Sequence, residues 1–299
     1  MSTLRITHGS QTASINQLGG GLMRYQVGGQ DVLYGYETEE QKSGSMGDVL
    51  FPFPGRLEHS EYEFEGEHFV VSGARVKDGH AIHGFVKKVE WEVVKQQADS
   101  LTLNYGVTST EYAEKGFPFD LTIAIEYRLS EAGLEIITQI KNTGSRPAPW
   151  GLGFHPYFTV GTEVINVASL RLPATHQVEF DPGLKPTGKL LPMRRFQESE
   201  LIGEEVIDAC FTDLQFENGR AVTRLSNAQR TVEVWQDTQF PYLQVYSADT
   251  IGEQHARRGL ALEPQTCTGF AFNVPEMGLQ VLQPREEWRG SWGCSLSDQ

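Results

Sequence analysis

Leu121-Thr-Ile-Ala-Ile-Glu-Tyr-Arg-Leu129 and Leu134-Glu-Ile-Ile-Thr-Gln-Ile140, joined across residues 130–133, alternate apolar and polar side chains along their length. A period of two sends successive side chains to opposite faces of an extended chain, so the pair predicts an antiparallel hairpin with one face buried. The same alternation recurs at 101–105, 231–235 and 242–246, and residues 237–241 supply a polar, Pro-containing connection between the last two. Helical stretches are expected only at 109–115 and 201–205, since no segment sustains a 3.6-residue apolar period. The chain therefore reads as all-β: two large antiparallel sheets packed face to face, with a barrel as the other closure, and with one sheet face and its loops as the natural place for a small-molecule site.

Length and composition agree with this. The 299 residues show no internal repeat, low-complexity tract or Gly/Ser-rich linker, so 1–299 is read as a single domain able to bury a large core. A formal charge of −14 repels polyanions, which argues against nucleic acid as a partner. Cys210, Cys267 and Cys294 are odd in number, widely spaced and without a CxxC pair, a pattern that suggests neither a disulfide framework nor a zinc ribbon and suits a reducing cytoplasm. The first twenty residues lack the apolar core of a signal peptide, and no stretch is apolar enough to span a bilayer, so a soluble, cytoplasmic protein with no membrane partner is expected.

Four segments concentrate groups suited to chemistry. Phe51-Pro-Phe-Pro-Gly-Arg-Leu57 holds Arg56 in a rigid Pro/Gly frame; a lone arginine there more often binds loop carbonyls or a surface carboxylate, and its functional reading is a clamp of N–H donors on two neighbouring hydroxyls of a ligand. In His80-Ala-Ile-His-Gly-Phe85 the two histidines face opposite sides of an extended segment, and no further ligand at a plausible spacing completes a metal set. Beside Gly84 the backbone can come close to a ligand, so His83 is expected to present its imidazole there, with a buried structural histidine as the alternative.

In Trp150-Gly-Leu-Gly-Phe-His-Pro-Tyr-Phe158, Pro156 keeps His155 extended among aromatics, and Phe154, Tyr157 and Phe158 are expected to exclude water and pack against the C–H groups of a ligand. A hydrogen-bonded core imidazole is the competing reading of this segment. In Leu260-Ala-Leu-Glu-Pro-Gln265, Glu263 interrupts an apolar run. A buried carboxylate is costly without donors or a cation, which makes Glu263 a candidate general base, and Gln265 on the same face can donate to it.

In this order along the chain, the Gly55-Arg56 loop followed by a Tyr62-x-Phe-x-Gly66 hairpin, Ile82-His-Gly84, His155-Pro-Tyr-Phe158, and Glu263-x-Gln265 with Asn273 resemble the aldose 1-epimerase (galactose mutarotase-like) family. Gln283-Pro-Arg-Glu-Glu-Trp288 is similar to that family's closing turn. The resemblance implies a β-supersandwich and an isomerase that interconverts the α and β anomers of an aldose without a cofactor. It implies Glu263 as the base that takes the C1 hydroxyl proton, and His155 as the acid that protonates the ring oxygen, kept charged by the ionised Glu263. His83 and Arg56 would bind the sugar, as would Asp208 in Val206-Ile-Asp-Ala-Cys-Phe211, whose apolar flanks suggest a partly enclosed carboxylate in need of donors, with Phe211 lining the pocket.

Departures bear on the sugar. Galactose-acting members carry Asn-Arg where this chain has Gly55-Arg56, and His-x-Tyr-Phe-Asn-Leu where it runs Phe158-Thr-Val160. The stretch at 82–85 also resembles a hexose-6-phosphate mutarotase branch, for which Arg257-Arg258, Arg194-Arg195 and Lys87-Lys88 are candidate cations. A non-catalytic carbohydrate-binding protein on the same fold is the other class. It would keep the pocket but have no need of both Glu263 and His155. Hydrolysis ranks behind both, because it usually asks for paired carboxylates.

Overall fold

A computed structural model describes residues 2–298. The hairpin predicted from alternation is its central feature: Leu121–Ser130 and Gly133–Asn142 pair antiparallel from Leu121↔Asn142 to Ser130↔Gly133. Leu121, Ile123, Ile125, Tyr127 and Leu129 are buried on one face, each contributing about 1.5–3 kcal/mol by leaving water. On the other face Arg128 meets Glu126 and Glu135. This hairpin sits inside a nine-stranded sheet running in space from Glu92–Gln96 through the carboxy-terminal Glu287–Asp298 to Glu200–Leu201. A second sheet, of eight strands, places Pro186–Pro192, Ala174–Phe180, Asp208–Leu214, Tyr242–Tyr246, Leu260–Gln265, Gly153–Phe154 and Val49–Leu50 side by side, and Tyr157–Phe158 pairs with Leu260–Gln265 off this path.

The two sheets share one core, in which Ile123, Ile136 and Trp292 of the first meet Phe154, Leu243 and Leu262 of the second in a single cluster. Both strand orders are open, so the architecture is a sandwich and not a barrel. An amino-terminal four-stranded sheet and a small sheet of Arg56–Leu57, His80–Ile82 and Arg75–Lys77 flank them.

The helical stretch expected at 109–115 forms as an α-helical turn, Ser109–Tyr112, continued by a 3-10 turn, Ala113–Lys115, and it stops at Gly116 (φ 82°). The helix expected at 201–205 does not form. Glu200–Leu201 instead pairs with Ser169–Arg171 as an edge strand, and the chain turns at Gly203 (φ 62°) because Ile202 is its one buried apolar anchor. Cys210, Cys267 and Cys294 are buried free thiols, and no helix among the described residues is long and apolar enough to cross a membrane.

Candidate active site

Strand alternation builds the site. On Tyr242–Tyr246 and Leu260–Gln265, Leu243, Val245, Leu260 and Leu262 enter the shared core, so Gln244, Tyr246, Glu263 and Gln265 must point the other way. That outer face floors a cavity of about 300 Å³, the small end of the range for ligand sites. Asp208, from the neighbouring strand, reaches the same cavity, and its Oδ1 accepts a hydrogen bond from Gln244 Nε2 at 2.7 Å.

His155 arrives between two short pairings. Gly153 pairs with Gln265 and Tyr157 with Ala261, so counting inward from both brings position 155 opposite 263. On its other side the His155 N–H donates to the Asp48 carbonyl, and its carbonyl accepts from Gly47 N–H. His155 Nε2 stands 3.3 Å from Glu263 Oε1, and Gln265 Nε2 donates to Glu263 Oε2 at 3.0 Å. Tyr157 stacks on the imidazole with ring centres 5.1 Å apart, while its hydroxyl donates to the Gly44 carbonyl. An imidazole and a carboxyl group from distant parts of the chain thus share one cavity wall.

His83 is set edge-on to His155, ring centres 5.6 Å apart, by an unusual backbone. His83 and Gly84 both have φ 65°, and a Cβ on Gly84 would lie 2.0 Å from the Phe51 carbonyl oxygen, so only glycine lets these segments meet. The Gly55 N–H donates to His83 Nδ1 at 3.2 Å, which places the ring proton on Nε2. Gly84→Ala is expected to destabilise the fold by about 3 kcal/mol or more, combining left-handed strain with overpacking against backbone. A urea midpoint indistinguishable from that of the parent protein contradicts this close approach.

Burial governs the charges. It lowers the His155 pKa to about 3, and Nδ1 of that ring is buried with no hydrogen-bond partner among the described residues that would favour the cation. Glu263 is pushed well above the usual carboxylate range, first by burial and then by the nearby charge of Asp208. Both shifts favour the neutral forms and run against the expected imidazolium beside an ionised Glu263, because burial disfavours the charge on each group. His83 is likewise held neutral, its pKa lowered by burial and then by His155.

Of the residues singled out from sequence, Arg56, His83, His155, Asp208, Glu263 and Gln265 line this cavity and Phe211 does not. Phe211 lies three positions beyond Asp208 on one strand, hence on the opposite face, and is packed in the core. For the same reason the flanks Ile207 and Ala209 are core residues while Asp208 itself faces the cavity mouth, where burial raises its pKa and Arg56 and Lys77 oppose that shift. Phe154 and Phe158 also belong to the core, so the apolar walls are instead Ile82, Phe180, Leu184, Ile251 and Phe270. Asn273 ties down the loop after Arg56 by accepting from Glu58 N–H and donating to the Glu61 carbonyl.

None of the suspected cation pairs reaches the cavity. Arg257 binds Asn166 and Asp249, Arg195 binds Glu200 and Glu205, and Lys87 Nζ is buried outside it. Lining residues that the motifs had not marked include Gln244, Tyr246, Arg75 and Lys77. Alternation in Tyr242–Tyr246 could have identified the first two, and the Arg-Val-Lys run the others. No group of three His, Cys, Asp or Glu side chains converges as a metal set among the described residues.

Comparison with known proteins bears on this arrangement. Residues 2–294 match the family described as aldose 1-epimerase. An uncharacterized Escherichia coli K12 protein, YihR, is 28% identical over 276 residues, spanning 91% of this chain and 86% of that protein. An aldose 1-epimerase of the same organism is 23% identical over 282 residues, covering 84% and 80% respectively. The solved structure of a GalM/aldose epimerase homologue from C. elegans superposes with a TM-score of 0.87 at 19% identity, covering 99% of both chains, and so shares the fold.

Proposed function

Because this chain belongs to the aldose 1-epimerase family, we propose that it interconverts the α and β anomers of an aldose by acid/base ring opening, with Glu263 and His155 as the reacting pair. The observation that carries this is the 3.3 Å contact of His155 Nε2 with Glu263 Oε1 on the wall of a sugar-sized cavity. Ring opening removes the proton from the C1 hydroxyl and adds one to the ring oxygen O5, so one group must accept as the other donates.

The pair holds one proton in total. Shifting it from Glu263 to His155 creates the carboxylate base and imidazolium acid without changing the site's net charge. Sugar hydroxyls entering the cavity supply donors to the buried carboxylate beyond the one from Gln265. Glu263 then takes the C1 hydroxyl proton while His155 protonates O5, and the C1–O5 bond breaks to give the open-chain aldehyde. Rotation about C1–C2 and closure with both transfers reversed yield the other anomer. The Nε2–H of His83 donates near the reacting oxygens, and Arg56 and Asp208 hold ring hydroxyls. The joint placement of acid and base favours this reading over a protein that only binds sugar.

The test is saturation-transfer NMR of anomer exchange over a panel of aldoses. Exchange is expected to be accelerated for at least one sugar, and kcat/KM should form a broad plateau in pH. Its acid limb reports a second proton entering the pair, as His155 titrates at about 3, and its alkaline limb reports loss of the pair's last proton, well above the usual carboxylate range. Binding of several sugars with acceleration of none hands the function to the carbohydrate-binding alternative.

A further inference from the structure

A reacting imidazole is ordinarily oriented by a hydrogen bond on its other ring nitrogen. His155 has none: with Nε2 turned to Glu263 Oε1 at 3.3 Å, its Nδ1 is buried without a hydrogen-bond partner among the described residues. The ring torsion of a histidine is broad and roughly two-fold, so another contact must select the orientation that aims Nε2 at Glu263.

Tyr157 is placed to do this. It follows His155 by two residues and pairs with Ala261, itself two residues before Glu263 on the neighbouring strand. The tyrosine and histidine rings stack with centres 5.1 Å apart and an interplanar angle of 22°. His83 meets the same imidazole edge-on, at 84°, so the ring is bounded by two aromatic neighbours. Tyr157 is 1% exposed and is not among the residues lining the cavity, so its contact is with the imidazole and not with a ligand.

The far end of Tyr157 is anchored to the loop that also grips His155. Its hydroxyl donates to the Gly44 carbonyl at 2.7 Å, while Gly47 N–H donates to the His155 carbonyl at 2.9 Å. Gly44 has φ 56°, and a Cβ there would lie 2.8 Å from the tyrosine hydroxyl oxygen and 2.5 Å from Ile251 Cγ2, so glycine is what lets this loop close on the hydroxyl. Met23, Tyr36, Met46, Ala248 and Ala261 complete a buried cluster around the ring, separate from the main core. Burial, and then the charge of Glu263, raise the phenol pKa, so the hydroxyl stays a donor and is no rival acid.

We propose that Tyr157 is the positioning residue for His155: its ring face holds the imidazole in the orientation that aims Nε2 at Glu263 and at the sugar ring oxygen, and its hydroxyl fixes that face to the 43–47 loop. This role rests on the anomer-exchange reading, in which His155 is the acid that protonates O5. Packing here takes the place of a hydrogen-bonded orienting group. A carboxylate on Nδ1 would also orient the ring, but it would strongly favour the imidazolium and so hold back the proton that ring opening needs.

The experiment compares Tyr157→Phe, which keeps the stacked ring, with Tyr157→Leu, which removes it, each checked for folding by circular dichroism. In Tyr157→Leu, kcat for anomer exchange is expected to fall about 10- to 100-fold while KM stays within about twofold, the split produced by a misplaced reacting group and not by a lost sugar contact. Tyr157→Phe should recover most of the lost rate. Proton–nitrogen NMR of the His155 ring needs no turnover: one sharp set of ring signals is expected in the parent and in Tyr157→Phe, and an exchange-broadened set in Tyr157→Leu.

A folded Tyr157→Leu with the parent kcat overturns the role, as does a variant that raises KM alone. So does a loss that multiplies with that of His155→Asn, because a residue acting through His155 has nothing left to remove once the imidazole is gone. Tyr157→Phe no faster than Tyr157→Leu overturns the assignment to the ring face. If the parent exchanges no aldose, the epimerase reading falls, and the ring signals alone decide whether Tyr157 orients His155: an averaged imidazole in the parent, or a sharp one in every variant, counts against it. Should Tyr157→Leu not fold, Tyr157→Met, which keeps bulk without a flat face, carries the same comparison.

Discussion

Glu263→Gln is expected to lower kcat/KM for anomer exchange by roughly 10²–10⁴-fold, the range associated with loss of a positioned general base. The amide keeps the shape of the carboxyl and can still accept from Gln265 Nε2, so the loss should come without unfolding. Stability gives an independent check, with a definite sign. The folded-state pKa of Glu263 is raised above its unfolded value, so the unfolded chain releases this proton first, and the parent protein loses stability as pH climbs from about 4.5 through the folded value. Glu263→Gln removes that decline. Thermal melts at pH 5 and pH 8, alongside saturation-transfer NMR, test both halves; exchange close to the parent rate in a folded variant rules Glu263 out as the base.

His155→Asn should lose a comparable factor, and the double variant with Glu263→Gln should lose little more than either alone, because the two groups act in the same proton exchange. Losses that multiply in the double variant would mean that the residues act in separate steps. The stability sign is opposite here. His155 is depressed to about 3 while the unfolded chain takes up its proton near the ordinary histidine value, so this residue withdraws stability as pH falls from about 6.5 toward 3. The asparagine variant should lack that component, and any residual activity should lack the acid limb. Both substitutions fall on side chains buried at the cavity wall, so circular dichroism must accompany each rate.

Much of the site was legible in one dimension because a strand's period of two is rigid. Glu263 stands out in an apolar run, and since Leu262 faces the core, it must face away; Gln265 follows by the same count. The rule also marks the errors. Phe211 was grouped with Asp208 by nearness in sequence, although an offset of three puts the two on opposite faces, and Phe154 and Phe158 were grouped with His155 in the same way. The helix expected at 201–205 failed for a different reason: a short polar stretch takes whichever conformation its neighbours leave, and the edge at Ser169–Arg171 was open.

From the amino-acid order alone came the β class, the hairpin joined across residues 130–133, and the four segments that carry polar chemistry. These depend on local periodicity and on side-chain type, which need no knowledge of what lies across the molecule. Folding in three dimensions alone decided that residues 155 and 263 meet at 3.3 Å, that burial disfavours the charged form of each, and that Arg75 and Lys77 face the same cavity. Distance, desolvation and shared exposure are properties of contacts between segments more than a hundred residues apart, and they come into being only when the sheets close over one another.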